Sequence, residues 1–451
     1  MMKHASTCVG IDLARRAKHK AVIVHNDDGR RRAPKRAWAF SHDLEGFEGL
    51  RDHILKQTGA DSLEGVTVNV EPTGNVWESL AGFLAHHGAA VYFTRPDVVS
   101  QLRKVHSKFA KTDRIDARTL AAVPFSLPER LIPIVPVEAR VRVLRNLSNQ
   151  RHRLVQDATR WKNRFTAKLE AVWTPLLVLL KDEQRFCALA RAFFDKFTDP
   201  RKVASYGRER FAKWCTKNAH ANTSPDLANT LWQGALKAAE LWNELEGTGA
   251  IQVDWETLEE LLAQDMRIIR QLEKEIKRVD ERIKQARNDV PECDVLEQLP
   301  GVAQVIAVTL ASVLMPVHRF CTTKKCGAYT GFTSRKKATG QREIDGLRIT
   351  KTGNRWLKRD LALAADTAMR KDPQLAAFAI RLLEAGKHYN KVRVAVGRKI
   401  ALRAYSLLKR YAGGEIGVAY VWRDVQGNTI TKQEAKATAS QLWALHDADK
   451  K

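Results

Sequence analysis

The chain has 451 residues, of which 44% are hydrophobic and 7% aromatic, more apolar material than one core needs and suited to two or three domains. That content excludes a disordered chain, and the sequence holds no run of about 18 apolar residues to span a membrane. Lys and Arg number 76 against 51 Asp and Glu, a net charge of +25, and the stretch 319–410 alone holds 23 basic and 6 acidic residues. A net +17 packed into one segment implies a polyanionic partner. The opening MMKHASTCVGIDLARR lacks the apolar core of a signal peptide, and the six cysteines (Cys8, Cys187, Cys215, Cys293, Cys321, Cys326) follow no disulfide or zinc spacing. A reducing, cytoplasmic setting is the expectation.

The first 125 residues alternate short β-like runs with helical ones. Cys8–Ala14, Ala21–Gly29 and Ala37–His42 read as three strands, with Asp28-Gly29 as a hairpin turn. A helix through Phe47, Leu50 and Ile54 follows, then a strand Val66–Pro72, a helix Val76–His86, a strand Ala89–Pro96 and a basic helical stretch Val98–Val123. This order predicts a mixed α/β domain over 1–125. Pro124, Pro128, Pro133 and Pro136 then mark a linker.

From Val137 to Val172 apolar residues recur at spacings of three and four, the stripe of a long amphipathic helix, with Arg151 breaking the pattern. A second stripe runs from Leu258 to Ile283, interrupted by Asp265. Together they predict an antiparallel coiled-coil hairpin over 137–290, capped by a helical insert over 173–255. Beyond Pro291 the chain is compact again. Leu299-Pro300-Gly301-Val302 is similar to a helix-hairpin-helix turn that grips phosphate with main-chain N–H groups, and an apolar helix follows it. A basic, glycine-bearing loop over Tyr329–Asn354 leads into helices Arg355–Met369 and Asn390–Tyr411, which with 291–412 form the last domain, and 413–451 is a polar tail.

Four carboxylates in the first domain carry the chemistry. Asp12 lies in an apolar strand, where burying it is costly without a partner or cation. Glu71 ends a second strand in Val70-Glu71-Pro72-Thr73-Gly74, and Asp113 and Asp116 stand three apart on one helical face. Converging carboxylates suit a hard divalent cation, with Mg²⁺ the expected species. Two such ions about 4 Å apart would stabilise the attacking and leaving oxygens at a phosphodiester.

GIDLA, VEPTG and KTDRIDARTLA together resemble the Asp-Glu-Asp-Asp set of the RuvC-like, RNase H-like domain in insertion-sequence one-ten transposases, also known as bridge-RNA-guided recombinases. LPGVAQVIAVTLASVL, FCTTKKCGAYTGFT and GLRITKTGNRWLKRDLALAA resemble the mostly helical carboxy-terminal transposase domain of the same family. The resemblance covers residues 8–172 and 258–411. It implies a Mg²⁺ site at Asp12, Glu71, Asp113 and Asp116, and a serine in the second domain that attacks DNA to form a covalent phosphoserine link. That serine falls in a Ser-Ser-Gly or Gln-Ser-Gly segment in the family, where this chain has Ala338-Thr339-Gly340. Thr339 is therefore the candidate nucleophile and Ser334 the second choice.

Arg335, Lys336, Lys337, Arg342, Arg348, Lys351 and Arg355 surround Thr339 in sequence and would hold nucleic-acid phosphates there, with Lys358 and Arg359 behind them. Arg103, Lys104, Lys108, Lys111 and Arg114 add positive charge beside the acids. The resemblance further implies a structured noncoding (bridge) RNA partner, DNA as substrate, and a dimer or tetramer joined through the coiled coil. In such an assembly the acids of one copy serve the hydroxyl of another. Two other functions remain open at this point: a metal-dependent nuclease on branched DNA, and an inactive nucleic-acid-binding protein.

Overall fold

The computed structural model describes residues 7–27, 30–32, 34, 36–72, 74, 76–106, 112–182, 184–219, 226–249, 251–333, 338–339, 342–343, 349–350 and 352–448. The chain divides into two compact units, residues 1–138 and 139–451.

In the first unit, β1 (Thr7–Asp12), β2 (His19–Asp27), β3 (Arg30–Arg32) and β4 (Trp38–Phe40) come first. They are followed by α1 (Leu44–Thr58), β5 (Thr67–Val70), α2 (Trp77–His86), β6 (Ala90–Phe93), α3 (Pro96–His106), α4 (Asp113–Ser126) and β7 (Ile132–Pro133). The seven strands form one sheet in the order β3-β2-β1-β5-β6-β7, with β4 also paired to β2. β1 runs antiparallel to β2 and parallel to β5, which is parallel to β6. Alternation along the strands sorts the two faces. Val9, Ile11, Ala21 and Ile23 pack with Leu50 and Ile54 of α1 on one face, while Val22 and Val24 pack with Ala117 and Ala121 of α4 on the other.

Three expectations change here. A strand over 30–32 joins the three foreseen, and the single helix expected over Val98–Val123 is two. Thr112 opens α4 with its hydroxyl accepting from the Ile115 amide at 3.3 Å, so a new helix begins where continuation was expected. The proline-marked stretch is not a linker. Pro124 sits in the last turn of α4, and Pro133 lies in β7, a short strand at the sheet edge where a missing N–H is tolerated. The first unit accordingly runs to residue 138 and not 125. The Asp28-Gly29 turn lies outside the described residues.

The second unit opens with the long α5 (Ala139–Leu177). The insert folds as α6 (Ala188–Lys196), α7 (Pro200–Tyr206), α8 (Arg208–Asn218) and α9 (Leu227–Gly247), and α10 (Trp255–Ala286) returns along α5. Three ion pairs give the direction of return: Arg151 with Asp280 at 2.5 Å, Lys162 with Glu273 at 2.7 Å and Lys168 with Asp265 at 2.6 Å. Partner numbers fall on α10 as they rise on α5, so the two helices are antiparallel. The two polar interruptions of the stripes are thereby explained, because Arg151 and the buried Asp265 each meet an opposite charge across the pair. α5 bends at Trp173 (φ −114°), two residues before Pro175. Trp242 Nε1 donates to the Val172 carbonyl at that bend, at 2.8 Å. The aromatic side chains of the insert, including Phe193, Phe197, Phe211 and Trp232, close with Phe165 and Trp173 into one core. Each such burial contributes roughly 1.5–3 kcal/mol.

The remaining elements are α11 (Glu292–Glu297), α12 (Gln304–Leu314), α13 (Thr323–Tyr329), the two-residue strands β8 (Ala338–Thr339) and β9 (Arg342–Glu343), α14 (Arg355–Ala368), α15 (Pro373–Glu384), α16 (Tyr389–Ala412) and α17 (Lys432–Ala448). The expected polar tail is thus partly a helix. Ala435 and Ala439 of α17 are buried, and Trp443 Nε1 donates to the Met369 carbonyl at 2.7 Å. Spaced at four, small residues let α17 lie close to its neighbours. The glycine of the Leu299-Pro300-Gly301-Val302 turn is explained by packing. Gly301 has φ +76°, and a Cβ there would stand 2.2 Å from the Ala364 carbonyl oxygen of α14, so this turn lies against a helix backbone. Among the described residues no helix is long and apolar enough to cross a membrane.

Candidate active site

Two of the acids lie at the carboxyl ends of neighbouring parallel strands, where α/β sheets place their ligands. Asp12 is the last residue of β1 and Glu71 follows directly after β5. The parallel register pairs Ile11 with Val70, so Asp12 and Glu71 are the next neighbours along the two strands. Both are partly exposed.

α4 carries the other two. Gly10 makes its approach possible: a Cβ on Gly10 would fall 2.1 Å from the Ala117 carbonyl oxygen and 2.2 Å from the Ala121 nitrogen. A second tie comes from Asn69 in β5, whose Nδ2 donates to the Leu120 carbonyl at 2.8 Å, while Thr94 Oγ1 donates to Asn69 Oδ1 at 2.9 Å. In a regular helix the Leu120 carbonyl would bond to the nitrogen of residue 124. Pro124 has no N–H, and Asn69 replaces it. Asp113 and Asp116 lie in the first turn of α4, at the positive end of the helix dipole. Asp113 is exposed, whereas Asp116 is buried and accepts from Arg103 Nη1 of α3 at 2.9 Å.

The loop after Asp12 is held by a chain of side chains. The Ala14 amide donates to His19 Nδ1 at 3.1 Å, which leaves the ring proton of His19 on Nε2. That nitrogen donates to His42 Nδ1 at 2.8 Å, and His42 Nε2 donates to Ser79 Oγ at 3.0 Å. Burial, with His42 second, pushes His19 below the usual histidine range, which keeps it neutral and fit for this relay.

All four acids offer hard carboxylate oxygens, the donor type that fits Mg²⁺. Among the described residues, however, no three His, Cys, Asp or Glu groups stand at metal-ligand spacing. Asp116 in particular is already engaged through Oδ1 by Arg103, which leaves Oδ2 as its oxygen for an ion. The structure thus brings Asp12 and Glu71 together as strand neighbours and Asp113 and Asp116 together on one turn.

In the second unit, β8 pairs with β9 so that Thr339 faces Arg342 across a small hairpin, and only the backbones of these two are described. Ser334, Arg335, Lys336, Lys337, Arg348 and Lys351 lie outside the described residues, as do Lys108 and Lys111 of the first unit. The base of the loop that carries them is tightly built. The Thr350 amide donates to the Thr333 carbonyl at 3.0 Å, and Arg398 Nη1 donates to the Phe332 carbonyl at 2.8 Å and to Thr333 Oγ1 at 3.1 Å. Gly331 (φ +74°) and Gly353 (φ +90°) lie back to back, since a Cβ on Gly331 would stand 2.1 Å from the Thr352 oxygen. Asn354 then caps α14, its Oδ1 accepting from the Trp356 and Leu357 amides at 2.8 and 3.1 Å.

α14 itself is anchored by a buried polar cluster that sequence reasoning passed over. Thr309 Oγ1 of α12 stands 2.7 Å from Asp360 Oδ2, and His152 Nε2 of α5 lies 3.0 Å from Thr309 Oγ1 and 3.4 Å from Asp360 Oδ2. The His152 ring stacks on Trp356 at 4.9 Å and 9°. Burial first, then Arg359 and Arg151, lowers His152 to about 4, while burial raises Asp360. The carboxylate alone would favour a charged imidazole. Burial and two guanidinium groups outweigh it, and His152 is neutral at pH 7. The cluster leaves Arg355 and Arg359 on the outer side of α14, with the Arg355 guanidinium 4.2 Å over the Trp356 ring. A signal was present in RWLKRDLALAADTA, where Asp360 falls on the apolar face with Leu357, Leu361 and Ala364.

An α/β unit bearing acids at its strand ends, followed along the chain by a basic, largely helical unit, matches the class of the transposases. Residues 9–174 match a family model described as transposase, the DEDD transposase of IS110, and residues 293–379 match a second, described as transposase of the IS116/IS110/IS902 family. The chain is similar to the insertion element IS110 uncharacterized 43.6 kDa protein of Streptomyces coelicolor, at 25% identity over 308 residues, 66% of this chain and 71% of that protein. Residues 9–174 and 293–379 thus carry the two domains of IS110-type transposases, and DNA transposition is the activity these imply.

Proposed function

We propose that this transposase is a Mg²⁺-dependent DNA recombinase guided by a structured RNA, built on an RuvC-like first unit and using Thr339 as its nucleophile. The observation that carries the reading is the parallel register that makes Asp12 and Glu71 neighbours at the ends of β1 and β5. The strand order, with an antiparallel β3-β2-β1 edge running into parallel β5 and β6, supports an RNase H-like core. Asp12, Glu71, Asp113 and Asp116 would hold the ion. When bound, Mg²⁺ supplies Lewis-acid polarisation of a phosphate oxygen.

Thr339 Oγ1 would displace one deoxyribose oxygen from phosphorus, leaving a phosphothreonine ester and passing its proton to the departing oxygen. Attack by a new strand end reverses the step and joins the DNA. Arg335, Lys336, Lys337, Arg342, Arg348, Lys351 and Arg355 would position the backbone by charge, and pairing with the RNA would supply the sequence. We place self-association on the exposed flank of the α5–α10 pair, extended as a coiled coil. The experiment is to trap the intermediate. Protein, Mg²⁺, RNA from the element's flanks and labelled DNA are mixed and resolved on a denaturing gel. A protein–DNA adduct mapping to Thr339, absent in Asp12→Asn and without Mg²⁺, is the expected result. An adduct at Ser334 moves the nucleophile. Cleaved DNA without an adduct means a hydrolytic nuclease, and salt-sensitive binding alone means an inactive binder.

A further inference from the structure

The first unit carries a cavity of about 440 Å³ that none of the acids lines. It opens on the α1 face of the sheet, away from α4, between β2, the end of β3, the segment leading into β4, and α1. Its volume lies within the range of small-molecule sites, roughly 300–1,000 Å³. Ala21 and Ile23 contribute apolar floor, and His25, Arg32, Arg36, Trp38, His53 and Gln57 the rest of the functional lining. Trp38 is 41% exposed although it is an indole on a strand, and its ring stacks on His53 at 4.1 Å and 10°. Arg32 and Arg36 are both exposed at the same cavity.

From this juxtaposition we infer that the cavity binds an unpaired nucleotide of a single-stranded nucleic acid, its base against the Trp38–His53 stack and its phosphates on Arg32 and Arg36. An exposed indole backed by a second flat ring is a stacking platform that accepts any base. His53 suits the backing role as a neutral ring, since burial and then Lys56 push it below the usual histidine range. Two guanidinium groups beside an aromatic wall fit a phosphate backbone better than an apolar ligand. Gln57 adds an amide that can donate and accept at a base edge. The chemistry is shared by RNA loops and by DNA strands opened from a duplex, and the site does not rest on the transfer chemistry proposed above.

The test uses the full-length protein with dodecamers of deoxythymidine or uridine carrying one 5-iodouracil, irradiated and mapped by peptide mass spectrometry, together with anisotropy titrations. A crosslink within residues 21–57, centred on Trp38, is expected. Trp38→Ala should weaken binding by about five- to a hundredfold, the loss of one stacked base, while Trp38→Phe keeps most of the affinity. The Arg32→Ala/Arg36→Ala double variant should lower the salt slope by about 1.4, equivalent to two phosphate contacts. A tighter ribose series names RNA as the source of the nucleotide, and a tighter deoxyribose series names opened DNA. Crosslinks confined to the second unit, with Trp38→Ala binding as wild type does, overturn the proposal. So does equal loss in Trp38→Ala and Trp38→Phe with a lowered melting temperature in both, which would mark a structural indole. A protein that forms no covalent DNA adduct yet crosslinks at Trp38 refutes the nucleophile and leaves this site standing.

Discussion

Gly10→Ala probes the closest approach of α4 to the sheet of the first unit. The added methyl would meet the Ala117 oxygen at 2.1 Å and the Ala121 nitrogen at 2.2 Å, with the Ala121 Cα at 2.9 Å. All three are helix backbone, so no side chain can rotate aside. Ordinary contact begins at about 3.5 Å, and α4 must therefore withdraw from β1 by more than about 1 Å. Overpacking costs 1–3 kcal/mol, and with rigid backbone on both sides we expect the upper end, about 3 kcal/mol. Asp113 and Asp116 move with α4 relative to Asp12 and Glu71, and on the proposed four-acid site a displacement of that size is enough to lower activity by about 10²-fold. Gly49→Ala in α1 is the internal control: nothing lies within 4 Å of its Cβ, and replacing a helical glycine should stabilise by about 0.5–1 kcal/mol. The assay is amide hydrogen exchange read on the peptide spanning 113–126, with urea unfolding followed by circular dichroism. Exchange in that peptide should accelerate by about 10²-fold in Gly10→Ala and not in Gly49→Ala. Unchanged exchange and an unchanged urea midpoint in Gly10→Ala would refute the argument that glycine is required for the approach of α4.

Three further outcomes are expected. Arg103→Ala strands the buried Asp116 carboxylate, and a double-mutant cycle with Asp116→Asn should return a coupling of about 1–3 kcal/mol in urea unfolding; additive single effects would remove the ion pair from the account. His152, lowered to about 4 in the folded state from 6.5 unfolded, contributes stability that is full above pH 6.5 and is lost as pH falls towards 4. Between pH 7 and 5 the wild type should lose about 2 kcal/mol more than His152→Gln; Asp360, raised by burial, acts in the opposite sense in both proteins and cancels in the comparison, and parallel stability curves would contradict a neutral buried His152. Trp443→Phe removes the indole bond to the Met369 carbonyl and should cost about 1 kcal/mol in thermal unfolding, whereas a silent substitution would return the C-terminal helix to a loosely held tail.

Much of the architecture was legible because it rests on local periodicity. The stripes of α5 and α10, the β1 and β5 strands and the start of α14 at Arg355 follow from spacing and residue type alone, with no knowledge of what they touch. Asp12 and Glu71 were legible for a related reason, since a carboxylate inside or at the end of an apolar strand is costly enough to stand out, and Asp113 and Asp116 by their spacing of three on one helical face. Partners far apart in sequence were not. Nothing local says that Asn69 supplies the bond Pro124 cannot make, or that Arg103 holds Asp116. Nor could spacing show that Arg151 and Asp265, polar breaks in two separate stripes, are met by Asp280 and Lys168 once the helices lie antiparallel. His152, Thr309 and Asp360 sit on three helices and form a site only when those helices pack. Sequence by itself determined most of the element order, an α/β start followed by largely helical regions with the basic excess concentrated over 319–410, and the residue types available for chemistry. Tertiary structure alone decided which of those side chains meet, because hydrogen bonds and ion pairs act over about 3 Å whatever the distance along the chain.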